Sequence, residues 1–111
     1  MEKKPLTSLE EAIHAFDRFL RLEKNASPHT LRNYMRDLKD FQIYLGEDSV
    51  WNLEDIDRTR IRAYLAHLHK RGNRPSTVSR KISTLRSCFR YARRLGYTGP
   101  DSVSDIPMPK L

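Results

Sequence analysis

The chain has 111 residues and carries 21 Lys/Arg against 14 Asp/Glu, a net charge of +7. That length suits one domain with a modest core rather than two, and no apolar run approaches the roughly 20 residues of a membrane span. A single cysteine, Cys88, excludes an internal disulfide, and no apolar leader follows Lys3-Lys4, so the cytoplasm is the expected compartment.

Helical periodicity and punctuation predict four helices. The first runs from Leu9 to Lys24. Ser8 and Glu11 fit a capping box, and Leu9, Ile13, Phe16 and Leu20 form one apolar stripe. Asn25 suits the left-handed turn that ends it. The second runs from Pro28 to Leu45 with Ser27 as N-cap. Its stripe is Leu31, Tyr34, Met35, Leu38, Phe41 and Leu45, and Gly46 closes it. A connector with Val50, Trp51, Leu53 and Ile56 is expected to plug one end of the core. The third helix runs from Arg58 to Arg71, capped by Asp57 and closed by Gly72, with Ile61, Tyr64, Leu65 and Leu68 inward. The fourth runs from Pro75 to Leu95. Val78, Ile82, Leu85, Phe89 and Ala92 line it, flanked by Cys88 and Leu95, and Gly96 follows. Pro28 and Pro75 sit at first helical positions, where a missing N–H costs nothing.

No stretch alternates with period two, so no sheet is expected. Short loops join the first helix to the second and the third to the fourth. The expected fold is all-α, two helical hairpins packed on each other. Residues 99–111 hold three of the six prolines, lack periodicity and read as a linker leaving a 1–98 domain.

Charge is distributed unevenly. Residues 1–56 hold 8 Lys/Arg and 11 Asp/Glu, whereas residues 57–111 hold 13 and 3. From Arg74 to Arg94 there are seven basic residues and no acid. Such a field attracts polyanions.

No catalytic constellation is present in the pattern. The four glycines do not make a phosphate loop. His67 and His69, two apart, point to different sides of a helix and cannot share a metal; they suit its C-terminal dipole. Cys88 has no histidine partner in sequence and belongs near the core. Glu10 and Glu11 serve the cap, and Tyr34, Tyr44, Tyr64 and Tyr91 read as core-edge aromatics. No catalytic residue, metal or cofactor is therefore expected.

The faces opposite the stripes carry more information. At about 100° per residue, Thr77, Arg80 and Thr84 gather away from the Val78–Ile82–Leu85 stripe, with Lys81 at its border. Arg86, Arg90 and Arg93 form a second basic edge. On the second helix, Arg32, Asn33, Arg36 and Lys39 lie roughly opposite Leu31, Tyr34 and Leu38, although Asp37 and Asp40 temper that face. Arg, Lys, Asn and Thr are the side chains that reach phosphates and base edges. The two helix starts also echo each other: Pro28-His29-Thr30-Leu31 and Pro75-Ser76-Thr77-Val78. Each offers free backbone N–H groups to a phosphate.

The run Ser27-Pro28-His29-Thr30-Leu31-Arg32-Asn33-Tyr34-Met35-Arg36-Asp37-Leu38 resembles the second helix of the N-terminal core-binding domain of tyrosine recombinases. The segments Ile56–Leu65 and Arg74–Tyr91 resemble its third and fourth helices, and the proline-rich tail resembles its linker. The likeness extends over essentially the whole chain and is nearest the Xer branch. It implies a SAM-like helical domain forming half of a clamp on a double-stranded recombination half-site. It further implies DNA contacts from Thr30, Arg32, Asn33 and Arg36 on the second helix, and from Ser76, Thr77, Arg80, Lys81 and Thr84 on the fourth. Other recombinase subunits would be partners in a synaptic tetramer, and no membrane partner is implied. The family's catalytic residues belong to a second domain that these 111 residues do not include, so this chain is expected to bind DNA rather than cleave it.

The competing reading is a helical protein-interaction module whose basic helix docks on an acidic partner. RNA binding fits less well, because the aromatics that would stack on bases fall mostly on core stripes.

Overall fold

The computed structural model describes residues 8–46 and 50–96. It contains α1 (Leu9–Leu22), α2 (Pro28–Leu45), α3 (Arg58–Lys70) and α4 (Pro75–Arg94), with a single 3-10 turn at Leu53–Asp55. The fold is all-α, and no strand occurs among the described residues. The linker expected at 99–111 lies outside them.

Local chemistry explains where each helix starts. The Ser8 hydroxyl accepts from the Glu11 N–H at 3.1 Å, the Ser27 hydroxyl from Thr30 N–H at 3.2 Å, and Asp57 from Arg60 N–H at 2.9 Å. Each bond satisfies one of the donors that a first turn leaves without a partner. α4 differs. Arg74 occupies its cap position without a side-chain cap bond, and Pro75 opens the helix.

The ends follow the same logic. After α3, Gly72 takes φ +82°, with its N–H on His69 O at 3.0 Å and Asn73 N–H on Leu68 O at 3.2 Å. This pair of bonds defines a Schellman motif and requires the left-handed backbone that glycine adopts without penalty. After α1, Asn25 serves instead at φ 49°, and Ala26 N–H closes on Leu20 O at 2.9 Å.

α4 packs against α1, α2 and α3, and the sequential neighbours α1/α2 and α3/α4 also meet, as hairpins should. Its central place explains its buried set: Val78, Lys81, Ile82, Thr84, Leu85, Cys88, Phe89 and Ala92. α2 and α3 join through aromatic contacts. Tyr64 is fully buried, with Phe41 and Tyr44 each 4.9 Å away between ring centroids. On the other side, Phe19 stacks on Tyr91 at 4.2 Å.

The connector closes the core less completely than its apolar residues suggest. Leu53 and Ile56 are buried and Trp51 is half-buried, but Val50 is 83% exposed. The plug is anchored by backbone: Leu9 N–H donates to Trp51 O at 2.7 Å, and Arg60 lies 4.4 Å over the Trp51 ring. Leu95, expected beside the α4 stripe, is 38% exposed because the helix ends just before it.

Removing packing at α4 should therefore cost far more than trimming the connector. Ile82→Ala is expected to lower unfolding free energy by about 2–5 kcal/mol. Val50→Ala should stay within about 0.5 kcal/mol of the parent. Urea denaturation followed by circular dichroism checks both.

Candidate nucleic-acid interface

The first half of α2 and the middle of α4 flank one cleft. Thr30, Asn33, Tyr34 and Asp37 line it from α2, and Arg80, Ser83 and Thr84 from α4. The structure thus brings together four of the nine residues expected to touch DNA: Thr30, Asn33, Arg80 and Thr84.

On α2 these residues are linked along the first turns. Arg36 Nη2 donates to Asn33 Oδ1 at 3.0 Å, and Asn33 Nδ2 lies 3.3 Å from His29 Nε2. The Ser27 and Thr30 hydroxyls meet at 3.0 Å. Arg32 and Arg36 are exposed, while Thr30 and Asn33 are half-buried. On α4, Ser76 is exposed and Thr77 half-buried in the first turn.

Two of the expected contacts are nearly buried. Thr84 is 3% exposed and Lys81 7% exposed. Both sit in the seam between α4 and α2 rather than on an open face. The physical reason is that α4 packs against three helices, so its buried arc is wider than one stripe. Lys81, Thr84 and Cys88 recur at helical spacing beside Val78, Ile82 and Leu85 and widen it.

The seam is built around a carboxylate. Asp37 is 2% exposed. Its Oδ1 accepts from Arg80 Nη2 at 2.9 Å and its Oδ2 from Arg80 Nε at 3.2 Å, a forked pair. Thr84 Oγ1 donates to Asp37 Oδ2 at 2.9 Å. Lys81 Nζ lies 3.5 Å from Asp37 Oδ1 and donates to Asp40 Oδ2. Two acids and two bases therefore meet with no net charge. An isolated buried carboxylate would cost several kcal/mol; charge-assisted bonds offset that cost. Arg80 is the member that reaches outward, with its side chain 48% exposed.

Sequence reasoning treated Asp37 and Asp40 as marks of a solvated face and overlooked Ser83. The available signal was that α2 carries acids three residues apart while α4 carries the longest acid-free basic run.

Charge at the helix starts is also selective. α1 has Glu10 and Glu11 in its first turn, and α3 is capped by Asp57. α2 and α4 have no acid at the cap or in the first turn. Their positive dipole ends are left for another anion.

Among the described residues no group of three or more His, Cys, Asp or Glu could hold a metal ion. Tyr64 is 1% exposed, and burial, reinforced by Asp40 and Asp37, pushes its phenol well above the ordinary range. Its hydroxyl stays protonated, which is the opposite of what a nucleophile needs. Burial likewise pushes the Cys88 thiol up to about 12.

The family model for "Phage integrase, N-terminal SAM-like domain" matches residues 13–96. The chain belongs to that family. It is 34% identical over 105 residues to tyrosine recombinase XerC of Oceanobacillus iheyensis, covering 95% of this chain and 34% of the relative. It is 35% identical over 102 residues to tyrosine recombinase XerD of Staphylococcus aureus, covering 92% and 35%. Among solved structures it superposes on a lambda integrase dimer bound to a COC′ core site. That match has TM-score 0.79 and 25% identity, over 96% of this chain and 29% of that one. The chain spans about a third of the length of the curated relatives it matches.

The Cys88 environment has a measurable consequence. The native thiol should resist alkylation near neutral pH and react once the chain is unfolded. The unfolded thiol gives up its proton from 9.0, whereas the folded one keeps it until about 12. The native state therefore binds more protons in that window, and stability should fall as pH rises through it. Thiol titration with and without denaturant, and thermal melts across alkaline pH, check the two parts.

Proposed function

We propose that this domain binds double-stranded DNA as the N-terminal half of a recombinase clamp, positioning a catalytic domain that carries the cleavage chemistry. The observation that supports it most directly is the cleft between α2 and α4, lined by Thr30, Asn33 and Arg80, in a chain of the integrase family whose α2 and α4 first turns carry no acid. Helix N-termini with Thr, Asn and Arg around them can hold phosphates and reach base edges in a groove.

In this reading Thr30, Arg32, Asn33 and Arg36 meet DNA from α2, and Ser76, Thr77 and Arg80 from α4. Lys81 and Thr84 act from the seam, holding the two helices in register. The lambda integrase neighbour bound to a core site is consistent with this arrangement, as is the basic balance of residues 57–111. Xer-type site-specific recombination, with other recombinase subunits as partners in the cytoplasm, is the wider activity that this domain would serve.

Fluorescence anisotropy of a labelled duplex at several salt concentrations tests the reading. Binding should weaken steeply with salt, because phosphate neutralisation releases counterions. Arg36→Ala should lower affinity and reduce the log–log salt slope by about 1. If an acidic polypeptide displaces the chain as readily as unlabelled duplex does, the basic helix is a protein-docking surface instead.

A further inference from the structure

We infer that Asp37 is a positioning residue for DNA recognition: it aims Arg80 into the cleft between α2 and α4, and binding depends on that acid although DNA repels it. The inference rests on the DNA-binding reading and adds a specific dependence to it.

The geometry carries the argument. Arg80 is long and half-exposed, so alone it would sample many rotamers and lose that freedom on binding. Asp37 removes the freedom beforehand. The forked contacts to Nε and Nη2 fix the plane of the guanidinium as well as its position. The Nη1 side is left for another acceptor. Asp37 is itself held. It is buried, Thr84 Oγ1 donates to the same oxygen that receives Arg80 Nε, and Lys81 stands beside its other oxygen. A carboxylate so enclosed does not swing, so the arginine it holds does not either.

A simple brace between helices would not need this design. Well-packed apolar residues can replace a buried ion pair at no cost, or with a gain, in stability. A brace would also not end in a guanidinium that lines a cleft beside Thr30, Asn33 and Ser83. The arrangement stabilises a particular orientation of one half-exposed cation.

The prediction runs against simple electrostatics. Removing a negative charge from a polyanion-binding protein strengthens binding on charge grounds alone. Asp37→Asn should instead weaken duplex binding by about tenfold, the size expected for directly coupled groups. In an Arg80→Ala background the same change should shift affinity by less than about twofold. Arg80→Lys keeps the charge but loses the fork, and should lose most of what Arg80→Ala loses.

Anisotropy with the four members of the cycle and the lysine variant, each checked for native helicity by circular dichroism, reads these outcomes. Asp37→Asn binding as well as the parent, or better, overturns the inference and leaves the DNA reading intact. An equal loss with and without Arg80 also overturns it, since that marks a scaffold role. Should Asp37→Asn fail to fold, Arg80→Lys decides: parent-like affinity overturns the inference, and a loss close to that of Arg80→Ala upholds it. A folded parent chain that binds no duplex at low salt overturns the DNA reading, and this inference with it.

Discussion

The rest of the structure depends on one buried anion. Asp37 sits in the seam where α2 crosses α4, and a carboxylate there is tolerable only while Arg80, Lys81 and Thr84 keep their contacts to it. Those three belong to α4 and Asp37 to α2, so the requirement fixes how the two helices sit along and around each other. Apolar packing could hold them together at several registers. A forked pair with a third donor has one satisfactory geometry. The cleft between α2 and α4, which Asp37, Arg80 and Thr84 line, inherits that geometry.

The remainder of the core serves the same helix. α4 is buried on several sides, against α1 through the Phe16, Phe19 and Tyr91 rings, against α3 and against α2. A helix so enclosed cannot expose all seven basic residues of Arg74 to Arg94. The fold therefore divides them. Lys81 is spent in the seam, Arg80 stands half in and half out, and Arg90 and Arg94 border a second cleft with Phe19 and Lys24. The basic run reads as one stripe in sequence and becomes several distinct environments in space.

Much of the fold was legible because its signals are local. Ser8, Ser27 and Asp57 cap within three residues of themselves, Pro28 and Pro75 are compatible only with first turns, and Asn25 and Gly72 end helices through their own backbone angles. The observed helix bounds accordingly differ from the expected ones by two residues at most. What was not legible is contact over distance. Helical period gives the direction of a buried face but not the width of its arc, so Thr84 was placed on an outer face. Asp37 and Arg80 are 43 residues apart, and no pattern in either helix names the other as partner. Val50 was read inward because it is apolar and adjacent to Trp51, yet its backbone lies outside the anchoring bond to Leu9.

The seam also bears on how affinity and register divide between different groups. In the proposed DNA-binding reading, exposed cations such as Arg32 and Arg36 would act mainly through charge, a long-range, salt-sensitive attraction that is indifferent to small changes of angle. Register needs groups whose direction is fixed before contact, because base edges and individual phosphates accept only narrow geometries. An acid that cancels the nearby positive charge weakens the first effect slightly and strengthens the second. The buried Asp37 of α2 thus lowers the total attraction of a basic domain while determining where its cleft presents the Arg80 guanidinium. A domain selected for affinity alone would have no use for Asp37; on the proposed reading, one that places a partner domain accurately on a duplex would.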